Sequence, residues 1–371
     1  MKIRISLFIL LISLFSCESN KQIQQQTKGK EITEYSQTLS IEEFQDYYLV
    51  KVKKPSSKDF FNYVLYKNEK PSIEADAAIK IPIKKIVCLS TSHLPSIEAI
   101  GHSESVIGFP NLDLIYSKQF RKLSENGNLQ DIGQKNGINI EKTISLKPDV
   151  ITAYAFGGNY EQLKPLQKAG ISVIVNTDYL ENTPLGRAEW LKLNSILFDE
   201  YQKGDSIFNH IKQEYIEAKS LSENIKNKPS VMTGIMYGDI WYMPGGNSYV
   251  AKFIEDAAGN YLWKENNETG SLELSFESVL SIAQSADIWI GAASLTSLKK
   301  LENTNENYAL FEAFQNEQVF SYTKRVTESG ANDFLESGYM RADWVLKDYI
   351  KLMHPEVLKD TATVYFEKLN P

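Results

Sequence analysis

The chain is short of the side chains that usually do chemistry. Its four histidines stand at His93, His102, His210 and His354, and its two cysteines at Cys17 and Cys88. No pair of histidines is spaced as zinc ligands on one helix face, no cysteines are paired for a metal, and neither a nucleophile elbow nor a phosphate-binding loop occurs. Cys88 and His93 are the one tempting thiol and imidazole pair, but Cys88 sits inside the apolar run Lys85-Ile86-Val87-Cys88-Leu89 and reads as an inert core residue. These residues point away from an enzyme.

Binding chemistry is better represented. Beyond the N-terminal segment arginine occurs only at Arg121, Arg187, Arg325 and Arg341, while lysine is plentiful. A guanidinium recognises carboxylate, phosphate or catecholate oxygens through paired donors. Arg187 lies where a loop enters a helical stretch and Arg325 follows a strand-like run, so both are candidate anion anchors; a structural salt bridge is the competing reading for each. The loops after the strand-like runs carry Ser92 and His93, Tyr154 and Phe156, Asp178 and Tyr179, and Asp239, Trp241 and Tyr242. Aromatic faces suit a large flat or hydrophobic ligand, although any of these rings could equally be core. His93 is either a ligand contact or a local cap.

The elements that must hold these residues change character along the chain. Segment 34–83 has short alternating runs such as Tyr47-Tyr48-Leu49-Val50-Lys51-Val52, which predict a small antiparallel sheet. From 84 to 185 and again from 228 to 371, β-branched apolar runs alternate with helical patterns, the mark of parallel α/β construction. Between them, 186–227 predicts one long helix, or two in line around Gly204. Two sequence echoes support a duplicated lobe: Pro95–Gly101 resembles Phe253–Gly259, and Ile140–Leu146 ahead of Asp149 resembles Phe276–Ile282 ahead of Asp287.

The first sixteen residues read as an export signal, with Lys2 and Arg4 before an apolar run too short to span a bilayer. Leu14-Phe15-Ser16-Cys17 resembles a lipobox, which implies acylation of Cys17, with 17–33 a flexible leash. Once Cys17 is acylated Cys88 has no disulfide partner, so the core alone must hold the fold. A net charge of -7 argues against non-specific nucleic-acid binding.

Four stretches carry a family resemblance: Lys85–His93, Gly137–Glu141 with Leu146–Val150, Trp241–Asn247, and His354-Pro355-Glu356. Their order resembles the helical-backbone (class III) substrate-binding lipoproteins of ABC importers for ferric siderophores, haem and vitamin B12. The resemblance implies an α/β fold of two Rossmann-like lobes joined by a single long backbone helix, here with the small N-terminal β appendage. It implies no cofactor of its own, a metal-chelate ligand held between the lobes, and a partner permease dimer with ATPase subunits. By motif position Glu141 and Glu277 resemble the glutamates that dock into permease arginines; a first-turn carboxylate is also favoured simply by the helix dipole. His93, Tyr154, Phe156, Arg187, Trp241, Tyr242 and Arg325 are the expected ligand contacts. Ferric siderophore is the first expectation, with cobalamin or haem next. A free metal-ion receptor is disfavoured by the scarcity of histidine, and a non-transport surface lipoprotein on the same scaffold stays open.

Overall fold

Alternation decides the N-terminal sheet. In the strand Tyr47–Lys53 the residues Tyr48, Val50 and Val52 turn inward and are buried, while Lys51 and Lys53 face water. The computed structural model describes residues 29–135, 137–154 and 161–371. The sheet has five strands in chain order: Lys30–Glu31, Leu39–Glu43, Tyr47–Lys53, Phe60–Tyr66 and Ala77–Lys80. It starts at Lys30, earlier than the expected 34, and is not wholly antiparallel, because Ala77–Lys80 returns parallel to Phe60–Tyr66.

Residues 34–38 strap this sheet to the segment between the lobes. The buried Glu189 carboxylate accepts the backbone N–H groups of Glu34, Tyr35 and Ser36 at 2.8, 2.7 and 2.9 Å. Glu181, also buried, accepts those of Gln37 and Thr38 at 2.9 and 3.0 Å. Lys192 pairs with Glu189 at 3.0 Å and donates to the Ile32 carbonyl at 2.7 Å. Two buried carboxylates are tolerated because their lone pairs are filled.

The continuous apolar runs become strands covered on both faces, as parallel strands must be. In the first lobe the order is Ser172–Asn176, Val150–Tyr154, Ile86–Cys88, Val106–Phe109, Gln130–Asp131, all parallel. In the second it is Asn260–Tyr261, Ser230–Thr233, Ile288–Ile290, Val319–Ser321, then Glu367–Lys368 antiparallel. Both lobes share a four-strand arrangement, with the first strand flanked by the second and third, and they differ in which edge receives the extra strand. The sequence echo has a matching contact: Asp149 accepts the amides of Lys84 and Lys85 at 2.8 and 2.9 Å, and Asp287 accepts that of Ser230 at 2.7 Å. Each aspartate ties the start of its strand to the start of the neighbouring first strand.

The connector differs from the expectation. Pro184–Ala188 and Leu191–Leu197 are separate, fully buried helices. The chain then breaks at Asp199, with φ of 60°, and the lobe-joining helix runs Tyr201–Ser222. Its 22 residues span about 33 Å. Gly204 is not a hinge within it: a Cβ there would lie 2.2 Å from Ser195 Oγ, so the glycine is where this helix crosses Leu191–Leu197. The C-terminal helix Ala342–Met353 is tied to the connector through Lys347 and Glu214, 2.5 Å apart. One hydrophobic core runs from the appendage through the hinge into the second lobe, and a smaller one covers the other face of the first sheet. Among the described residues no helix is long and apolar enough to cross a membrane.

Candidate functional site

The lobes enclose a cleft of about 580 Å³, a size suited to a small-molecule ligand. The first lobe supplies it from the carboxyl ends of its strands: Ser90 and Ser92, Tyr154, then Asp178 and Tyr179. The second supplies Ser248 and Tyr249 at a helix start, the Thr269–Ser271 turn, and Tyr339. A depression of about 600 Å³ elsewhere draws only Asn182 and Thr183 from outside the second lobe and lacks this two-sided character.

Arg187 occupies the junction. The Thr183 hydroxyl caps the Pro184–Ala188 helix through the Gly186 amide at 3.0 Å, and Pro184 opens it, so Arg187 falls in its last turn. The side chain is 5% exposed, and its guanidinium carbon lies 4.1 and 3.8 Å from the ring centroids of Tyr249 and Tyr339. Among the described residues its Nε and Nη1 have no hydrogen-bond partner. Burial alone would lower its pKa, but Tyr249, Tyr339 and Asp178 outweigh that and hold the guanidinium more basic than usual. The result is a permanent buried cation beside the cleft, gripped by π faces and with two of its donors unpaired among the described residues. Tyr339 is pushed up to about 12 by burial, so it stays a neutral phenol. Asp178, also buried, accepts the Ser92 hydroxyl at 3.3 Å.

The expected contacts divide. Tyr154 lines the cleft and is half exposed. His93 does not line it: the turn Thr91–His93 rotates the imidazole beneath the floor, 1% exposed, with Nδ1 3.1 Å from Thr152 Oγ1. Burial lowers its pKa and keeps it neutral. Trp241 is likewise core. It is fully buried with ring centroids of Trp289, Tyr308 and Phe311 at 5.5–5.7 Å, and its indole N–H donates to the Thr233 carbonyl at 3.0 Å. The reason is strand parity in Ile240–Pro244, where Trp241 and Met243 turn inward and Tyr242 outward. Tyr242 is exposed on the face that reaches the cleft two residues later at Pro244, but is not itself part of the lining. Asp239 lies exposed in the turn of the same hairpin. Arg325 is 2.8 Å from Asp333 at a lobe-to-lobe seam away from the cleft lining, so the salt-bridge reading holds for it. Phe156 and Cys17 lie outside the described residues. Cys88 is fully buried and its thiol is pushed up to about 12 by burial.

Sequence reasoning missed Tyr249 and Tyr339. The first carried a signal, since Ser248 is an N-cap ahead of an apolar helix and Tyr249 must open that helix. Nothing in the linear order places Tyr339 opposite Arg187. Glu141 and Glu277 take the same step of two matching helices: each is the second residue, after caps by Asn139 and Ser275, exposed and without an ion pair among the described residues.

Residues 86–326 match the periplasmic binding protein family. An uncharacterized lipoprotein of Methanocaldococcus jannaschii is 29% identical over 301 residues, 79% of this chain and 70% of that one. An uncharacterized ABC transporter substrate-binding lipoprotein of Bacillus subtilis is 22% identical over 62% of this chain and 71% of its own. Among solved structures, the periplasmic heme-binding protein RhuT of Roseiflexus sp. RS-1 superposes with a TM-score of 0.58 at 20% identity, over 74% of this chain and 99% of that one. With its two lobes and connecting helix, the chain belongs to the periplasmic binding protein family, the substrate-binding and non-enzymatic components of ABC transporters.

Proposed function

We propose that this protein is a lipid-anchored receptor that captures an anionic metal chelate, a ferric siderophore first, and delivers it to an ABC permease dimer powered by separate ATPase subunits. The observation that carries the reading is Arg187: a buried cation in the cleft lining with two unpaired donors among the described residues is costly unless something anionic completes it. Tyr154, Tyr179, Tyr249 and Tyr339 add aromatic and phenolic surface for a bulky chelate. With His93 beneath the floor, no histidine lines the cleft among the described residues, so a haem there would take a phenol and not an imidazole as its axial ligand. Acylation of Cys17 holds the receptor at the extracytoplasmic membrane face, and Glu141 and Glu277 meet arginines of the permease.

Titrating intrinsic tryptophan fluorescence with ferric siderophores, cobalamin and haem, corrected for ligand absorbance, tests this. Saturable binding of a ferric siderophore is the expected result. Binding of cobalamin or haem alone would replace the ligand, and no response to any would remove the chelate reading.

A further inference from the structure

Along one flank of the cleft the lobes meet in a seam built on acid. Glu336, 2% exposed, immediately precedes the turn Ser337–Tyr339 that brings Tyr339 into the cleft. Its carboxylate reaches across to the first lobe and accepts the backbone N–H groups of Tyr116 at 2.7 Å and Ser117 at 3.0 Å. The Ser117 hydroxyl caps the helix Lys118–Glu125 and donates to Glu98 at 3.0 Å. Asp333, 3% exposed, is 2.8 Å from Arg325 Nε, though this contact is not aligned as a hydrogen bond. Two neutral bonds complete the seam: Thr91 to the Leu335 carbonyl at 3.1 Å and Ser329 to the Asp113 carbonyl at 3.0 Å.

The charges do not balance. Glu98 comes from the helix Leu94–Ala99, Asp333 and Glu336 from the second lobe, and the cation beside the cluster is Arg325, paired with Asp333. Tyr116 beside Arg325 and Tyr365 bonded to Ser337 at 2.8 Å are phenols, and Arg341, whose charge also acts on Tyr365, is paired with Asp343 at 2.5 Å. Full ionisation would leave two net negative charges around a buried contact, and Arg325 is 38% exposed, so its attraction is screened. For Glu336, burial and the nearby Asp333 and Glu98 carboxylates outweigh the two amide bonds and raise its pKa from 4.5 to about 7. Asp333 and Glu98 are also raised, chiefly by burial.

We propose that Glu98, Asp333 and Glu336 form a proton-operated latch between the lobes, tight while the cluster holds a proton and looser once it is fully ionised. Parting the seam exposes Glu336 to water and returns it toward 4.5, so the closed seam binds more protons than the open one. Closure is therefore favoured in full below about pH 4.5, and the advantage is lost as pH rises through about 7, by up to about tenfold per pH unit in that window. Its consequence, tighter retention of ligand in acid, rests on the cleft reading above. The latch itself concerns only the lobes and is testable without ligand.

The test is hydrogen exchange with mass spectrometry on the ligand-free full chain between pH 5.5 and 8.5, with rates corrected for intrinsic chemistry. Protection of the Tyr116 and Ser117 amides should fall at least tenfold across the range, while amides in the middle of the connector helix stay constant. Glu336→Gln should flatten the profile, and Glu98→Gln, which leaves both bonds to Glu336 intact but removes a carboxylate that raises it, should move the midpoint downward. A flat profile in the unaltered chain, or an unchanged slope in Glu336→Gln, would overturn the latch whatever the ligand proves to be.

Discussion

Arg187 and Arg325 look alike in sequence, each at the end of an element, and their surroundings separate them. Arg325 has Asp333 at 2.8 Å; Arg187 has two tyrosine faces and open donors. If Arg187 is kept for ligand, Arg187→Met should preserve packing between Tyr249 and Tyr339 while removing the charge-assisted bonds. Such bonds are worth about 1.5–3 kcal/mol, so ligand affinity should drop roughly 10- to 100-fold. Tm should hold or rise, because unpaired buried donors are removed along with the charge. Fluorescence titration and thermal melting of the same preparation check both halves; a merely structural arginine would give a lower Tm with affinity intact. His93 and Trp241 mark the limit of loop-based assignment. His93 follows a strand as ligand contacts do and Trp241 lies within one, yet a single turn and a single step of strand parity carry them into the interior.

At the scale of elements, the connector carries the most informative difference. A glycine inside a helical pattern reads as a break, but the actual break is at Asp199, three residues after Ile196, and Gly204 is a crossing point. Gly204→Ala should therefore act through overpacking, its Cβ falling 2.2 Å from Ser195 Oγ and 2.4 Å from Ser195 Cβ. A loss of about 1–3 kcal/mol is expected from denaturant unfolding. Ser195→Gly in the same chain should recover part of it, and the double-mutant cycle reports the coupling. A helix-propensity effect alone would make Gly204→Ala stabilising by nearly 1 kcal/mol, so the sign distinguishes the two. The duplicated lobe was legible as two weak echoes because its repeated parts are local: a capped helix, an acidic first turn and an aspartate starting a strand. The strap at 34–38 was not, since Glu181 and Glu189 lie about 150 residues away from the amides they hold.

At the scale of the molecule, the exposed Glu141 and Glu277 belong to different lobes and leave the cleft to other residues. Glu141→Lys with Glu277→Lys should leave chelate affinity unchanged and abolish uptake in cells, because opposite charge at both contacts replaces attraction with repulsion. Loss of affinity in the purified double variant would sink the docking role. The seam joins the lobes on one flank, and the connector helix and the Pro184–Leu197 helices join them elsewhere.

The amino-acid sequence by itself determined what is periodic or contiguous. Alternation set the appendage strands, unbroken β-branched runs set the parallel sheets, and the ordered motifs marked a two-lobed binding protein with its acidic first-turn pair. These follow from backbone geometry, which repeats every two or 3.6 residues and is readable in one dimension. Only the tertiary structure decided which side chains meet at the cleft, because Arg187, Tyr249 and Tyr339 are brought together by the crossing of helices from separate parts of the chain. The same holds for the seam, where Glu336 finds the amides of Tyr116 and Ser117 across 220 and 219 residues. Burial and charge balance depend on that closure in three dimensions, and no local pattern in the chain encodes them.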